Sequence, residues 1–250
     1  MKRTTGVFWF ALLTVALSFT AYFIPLPAES RALLVPVLLV FIPAVVCIPL
    51  VFITEGRDGL RQLFSSSQSG FQWLLIGILV GAGMRVAVLI AGTIFGTSVK
   101  ADFGGPGTLF IILATIPLAY FEELGWRRFA LDRLLKFRSP IESALFLGLP
   151  WGIIHLVIVL PGMMSVGSPA IPQTIVLLSL GVILTWAYVR SGASVLTTTL
   201  LHGVQNGLVV INRGLTNMEA TWLMMWVYLA LAVVLVFAER RMFFAKPSSA

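Results

Sequence analysis

The chain has 250 residues, of which 58% are hydrophobic and only 11% charged, with a mean hydropathy of +0.99. So few polar groups cannot cover a soluble domain, so the bilayer is the solvent. The net charge of +7 does not mark a nucleic-acid partner, because the basic residues are scattered over loops between apolar runs and form no stripe.

A membrane-crossing helix needs roughly 20 mostly apolar residues. By that length rule the sequence predicts an all-α polytopic transmembrane bundle of about eight spans, at 7–25, 32–53, 72–96, 108–127, 141–160, 173–189, 193–212 and 220–238. Together they make one integral membrane domain over 1–250, with no room for a separate soluble one. The first span follows Lys2 and Arg3 and reads as a signal anchor, since its apolar stretch exceeds the roughly 7–15 residues of a signal-peptide core. Cys47, the single cysteine, lies in the second, which excludes an intrachain disulfide and a CxxC motif.

Between the second and third spans, Leu60, Leu63 and Phe64 share a helical spacing, with Arg57 and Arg61 on another face. That fits either a short interfacial helix or an ordinary loop. Arg85, near the middle of the third span, reads as a structural partner for a buried glutamate or a snorkelling side chain. The alternative is a receptor for a substrate carboxylate.

The fourth span carries Glu122-Glu123-Leu124-Gly125-Trp126-Arg127. Glu123 and Arg127 are four apart with the acid first, the favourable order for an ion pair along one helix face. Glu122 is rotated about 100° away and faces elsewhere. The fifth span holds Trp151 and, one turn on, His155, preceded by Gly148 and Pro150, which can kink it. Pro161, Gly162, Gly167, Pro169 and Pro172 mark the next connection as an uncharged loop. The seventh span holds His202 and Asn206, four apart and stacked on one face. His155 and His202 are the only histidines. No internal repeat is visible, which disfavours an inverted-repeat transporter.

Assigning Lys and Arg to alternate sides puts thirteen on one and only Arg31, Lys100 and Arg213 on the other, with Arg85 inside a span. By the positive-inside rule both termini are expected in the cytoplasm.

Ionisable residues in a membrane are costly and mark function by default. A carboxylate in a dry cavity is suited to take a proton from water, and a histidine can orient that water or share the proton. An imidazole N–H and an amide NH₂ on a facing helix could stabilise the oxyanion formed on a peptide carbonyl. The same Glu122, His155 and His202 could instead bind catalytic zinc with an open position for water. There is no HExxH motif, and Asn206 is a poor zinc ligand, so the metal-free scheme is slightly favoured.

These residues resemble the CaaX protease and bacteriocin-processing (CPBP, or Abi) family of intramembrane endopeptidases, which carries EExxxR, FxxxH and HxxxN or HxxxD on separate helices. Here they read Glu122 to Arg127, Trp151 to His155 with Trp for the usual Phe, and His202 to Asn206. The resemblance covers 108–210, the expected catalytic core. It implies that Glu122 activates water with help from His155 and that His202 and Asn206 form the oxyanion site. The implied substrate is a peptide or protein in or near the membrane, and the implied location a multi-pass cell-membrane protein. Family members have been described both as glutamate-dependent and as metalloproteases, so zinc stays open, as does a non-catalytic scaffold or bacteriocin-immunity role. A proton-coupled carrier using Glu122, His155, His202 and Arg85 is the third alternative.

Overall fold

The computed structural model describes residues 3–65, 69–97, 100–101, 107–159, 170–208, 212–213 and 218–247. They are almost entirely helical: α1 (Arg3–Thr20), a 3₁₀ turn (Ala21–Phe23), α2 (Ala28–Phe64), α3 (Phe71–Ile94) and α4 (Gly107–Glu123). A π-helical stretch (Leu124–Leu131) and a last turn, α5 (Asp132–Leu134), continue α4. Then follow α6 (Pro140–Val159), α7 (Ala170–Arg190), α8 (Val195–Gly207), α9 (Met218–Ala238) and the short α10 (Arg240–Phe243). One antiparallel pairing, β1 (Lys100–Ala101) with β2 (Asn212–Arg213), joins the connections after α3 and α8.

Five helical stretches among the described residues are long and apolar enough to cross a membrane: Leu34–Phe64, Phe71–Ile94, Leu109–Leu134, Ala170–Arg190 and Thr221–Ala238. Thr5–Thr20 and Pro140–Leu156 are shorter apolar helices. α8 has 13 residues, about 20 Å of helix against a hydrocarbon core of about 30 Å. The side-chain pattern is that of a lipid-soluble protein. On α3 the buried face is Gly77, Gly81, Met84, Arg85, Val88 and Gly92, while Leu79, Ile90 and Ile94 are 60%, 55% and 72% exposed.

Local sequence explains the helix boundaries. α6 starts with a capping box: Ser139 Oγ accepts from the Glu142 backbone N–H, and the Glu142 carboxylate accepts from that of Ser139 at 2.9 Å. Pro140 occupies the first helical position, where no N–H is needed. Ser194 caps α8 by accepting from the Thr197 N–H at 3.2 Å. α2 breaks at Gly56, whose φ of 67° and ψ of −156° suit only glycine. The segment 57–64 beyond the break is helical, as the interfacial-helix reading expects, with Leu63 buried and Arg61 paired to Asp58 on its exposed face. The uncharged connection expected after the fifth span lies outside the described residues except for Pro172, which is a buried residue of α7.

α7 is the most enclosed long helix, with 61% of its apolar window buried against 28–33% for the other four. It packs on α6 and α9, while α8 is held between α3 and α4. Glycines allow that close approach. A Cβ on Gly77 would lie 2.6 Å from the Thr197 carbonyl oxygen of α8, and one on Gly203 of α8 would lie 2.6 Å from the Ile116 Cα of α4. Small residues one turn apart are the usual means of such backbone contact in lipid. Thr115 Oγ1 adds a hydrogen bond to the Gly203 carbonyl at 2.8 Å. Gly203→Ala is therefore expected to lower stability by about 1–3 kcal/mol, because backbone rather than a flexible tip must move. Reversible unfolding in lipid reads this directly, and an unchanged midpoint would contradict the wedge.

The amino-terminal helices support the same region. Phe10 of α1 meets Trp126 edge-on at 5.1 Å and Phe129 at 5.2 Å. A Cβ on Gly125 would come within 2.6 Å of Pro43 of α2.

Candidate active site

Each motif sets two side chains four positions apart on one face of a helix, and the packing above brings the three faces together. Glu122 and Glu123 end the regular part of α4, immediately before it changes to i→i+5 winding. Such wide turns are frequent at functional sites. Glu122, Glu123, Arg127 and His202 are 5%, 0%, 4% and 2% exposed, whereas His155 and Asn206 are half-buried. His155 and Asn206 are thus the more accessible members of a group whose ionic part forms a buried floor.

That floor is anchored on Glu123. Its Oε1 accepts from Arg127 Nη1 at 3.1 Å, the ion pair expected from the spacing. The same oxygen accepts from His202 Nδ1 at 2.9 Å, a link across 79 residues that helical periodicity does not reveal. Because a carboxylate only accepts, Nδ1 carries the hydrogen. His202 Nε2 lies 3.0 Å from Asn206 Nδ2, so in the neutral imidazole it accepts one amide N–H and leaves the other free. A second N–H on His202 exists only when both ring nitrogens are protonated.

Trp151 joins the remaining parts. Its indole Nε1 donates to Glu122 Oε2 at 3.0 Å. Its carbonyl accepts from His155 Nδ1 at 2.8 Å, which in the neutral imidazole leaves Nε2 as the nitrogen without a hydrogen. Its ring lies under the Arg127 guanidinium, 4.6 Å from Cζ, and meets the imidazoles of His202 and His155 edge-on at 5.4 and 5.8 Å. Sequence reasoning counts this residue only as an aromatic spacer. The signal it holds is the indole N–H, which the usual Phe lacks. The Trp151 side chain reaches Glu122 from the turn preceding His155.

Arg85 is buried on α3 and reaches α8 and α9. Its Nε donates to the Gln205 carbonyl at 2.7 Å and its Nη1 to Met224 Sδ, while Gln205 Nε2 donates to the Tyr228 hydroxyl at 2.6 Å. This network ties α8 to α3 and α9 on the side away from Glu123.

The geometry does not suit a zinc ion held by Glu122, His155 and His202. Both nitrogens of His202 are engaged by Glu123 and Asn206, and among the described residues no three His, Cys, Asp or Glu side chains are grouped to bind a metal. What the arrangement provides is a carboxylate with one oxygen fixed, a neutral imidazole with a free ring nitrogen, and an amide N–H aimed from an oriented side chain.

Two comparisons bear on this geometry. The family model for type II CAAX prenyl endopeptidases, Rce1-like, matches residues 104–208, which contain every motif residue named above. The chain is also 22% identical over 210 residues to CAAX prenyl protease 2 of Methanococcus maripaludis, covering 76% of this chain and 74% of that protein.

Proposed function

We propose, from the premise that the chain belongs to the CaaX protease and bacteriocin-processing family, that it is an intramembrane endopeptidase acting on a membrane-associated or CaaX-like peptide without a metal. The observation that carries this reading is the convergence of the three motifs on Trp151 and Glu123.

In the proposed reaction Glu122 takes a proton from water, with His155 Nε2 orienting that water or sharing its proton. The water oxygen bonds to the carbonyl carbon of the scissile peptide, and the negative charge that develops on the carbonyl oxygen is met by the free Asn206 N–H. His202, held by Glu123, fixes the direction of that amide. Collapse of the intermediate breaks the C–N bond, and the proton held by Glu122 passes to the leaving amine. A general base is typically worth 10²–10⁴-fold and an oxyanion donor 10²–10³-fold in rate.

Residues 108–210 form the catalytic core of this reading. The shorter apolar helices α1 and α6 and the wedged α8 complete a bundle of about eight spans. We place both termini in the cytoplasm. Support comes from the clustering of the basic loops at one end, where Arg128 donates to the Gln62 carbonyl, Arg133 pairs with Glu55, and Arg190 with Glu239.

The test is cleavage of a membrane-anchored peptide library, with prenylated and unprenylated arms, by protein in lipid bilayers with and without a chelator. Cleavage that survives chelation is expected. Loss on chelation would overturn the metal-free scheme, and a folded protein that cleaves nothing in a broad library would move the reading to a scaffold.

A further inference from the structure

The family's second motif ordinarily offers a phenylalanine where this chain has Trp151, and a phenyl ring can pack but cannot donate a hydrogen bond. Here the donor is used: the indole N–H reaches Glu122 Oε2 at 3.0 Å, with Trp151 itself only 1% exposed. The ring has little freedom to leave that position. The guanidinium of Arg127 covers one part of it, two imidazoles abut it edge-on, and its own carbonyl is the acceptor for His155 Nδ1.

We propose that Trp151 is a positioning residue for the peptidase reaction, its indole N–H fixing one oxygen of Glu122 so that the other is presented to water, while its carbonyl fixes the His155 tautomer that leaves Nε2 free. The inference rests on the peptidase reading for its consequence but not for its geometry. An unanchored carboxylate in a dry site turns about its side-chain torsions and accepts from whichever donor is near, Arg127 included. Loss of orientation at a reacting group costs rate rather than substrate affinity. Phenylalanine and tryptophan are therefore not interchangeable in this chain, although either satisfies the motif.

Two replacements separate hydrogen bonding from packing. Trp151→Phe supplies the usual residue of the motif but leaves the space of the second ring. Incorporation of 3-benzothienylalanine at position 151 keeps the bicyclic shape and replaces the N–H by sulfur, so it decides the matter if the phenylalanine variant folds poorly. With a peptide that the wild type cleaves, both are expected to lower kcat by about 10–100-fold, the range for losing a hydrogen bond to a charged group, with KM changed less than about threefold. Wild-type kcat in the benzothienyl protein would overturn the proposal and reduce Trp151 to a packing residue.

A second readout needs no substrate. In ¹⁵N-tryptophan-labelled protein in lipid nanodiscs, the indole N–H resonance missing from Trp151→Phe belongs to Trp151. It is expected downfield, as for a donor to a carboxylate, and should move upfield in Glu122→Leu. A resonance indifferent to Glu122→Leu would also overturn the proposal. The expected shift in a protein that cleaves nothing would leave the hydrogen bond standing while the peptidase reading fell.

Discussion

Glu122→Gln is expected to lower kcat for peptide cleavage by about 10²–10⁴-fold, the range for loss of a positioned general base, with the fold unchanged. The glutamine is nearly the shape of the carboxylate, and its carbonyl oxygen can accept the Trp151 N–H that Glu122 Oε2 now accepts at 3.0 Å. Arg127 keeps Glu123 as its ion-pair partner. What the amide lacks is a basic oxygen, so the deficit is chemical. The check pairs single-turnover cleavage in lipid with an unfolding midpoint, which should agree with wild type within about 1 kcal/mol, as for a change that leaves no buried group unpaired. A variant retaining more than a tenth of wild-type rate would remove Glu122 from the role of base and leave His155 Nε2 as the candidate.

Glu123→Leu is expected to act in the opposite way, on stability first, by about 3–5 kcal/mol, the cost of removing one partner of a buried ion pair. The substitution strips Arg127 of its counter-charge and His202 Nδ1 of its acceptor together, because one oxygen serves both. Both orphaned groups are almost wholly buried, so water cannot replace the lost partner. Adding Arg127→Met should restore most of that stability, since a buried pair can be replaced by apolar side chains at little net cost. Activity should not return with it: His202 would still lack the contact that fixes its ring, and the Asn206 amide would lose its orientation. Equilibrium unfolding in lipid measures the first effect and cleavage the second. Recovery of both in the double variant would show that Glu123 serves only to neutralise Arg127.

The chemistry of the site was legible where it depends on intervals of four. The Glu123–Arg127 pair and the stacking of His202 with Asn206 follow from helix geometry alone, and both are present. The role of Glu123 was only half legible. Periodicity gave its partner on the same helix, but the His202 contact depends on the depth at which α8 lies against α4, which is set by Gly203 and Gly207 packing on Ile116 and Ile112. Arg85 shows the same division. Its burial was foreseeable from its place in an apolar span, but one of its partners is a main-chain carbonyl of α8, and side-chain types do not encode backbone acceptors.

Span lengths were affected as well. An apolar run was a sound guide for α3, α7 and α9. It read the region around α8 as an ordinary span, where the structure has a 13-residue helix with most of its side chains buried by neighbouring helices. Hydropathy records what a segment tolerates, and a helix wrapped by protein tolerates apolar residues as readily as one wrapped by lipid.

By itself, then, the sequence determined the solvent, the helical class, the resemblance carried by the three motifs and the residues they single out, because each depends on composition or on spacing within one helix. Tertiary structure decided which atoms meet: the indole of Trp151 on Glu122, the shared oxygen of Glu123, and the nitrogens left free on His155 and Asn206. These meetings depend on how closely and at what depth separate helices pack, and that is fixed by contacts between residues far apart in the chain.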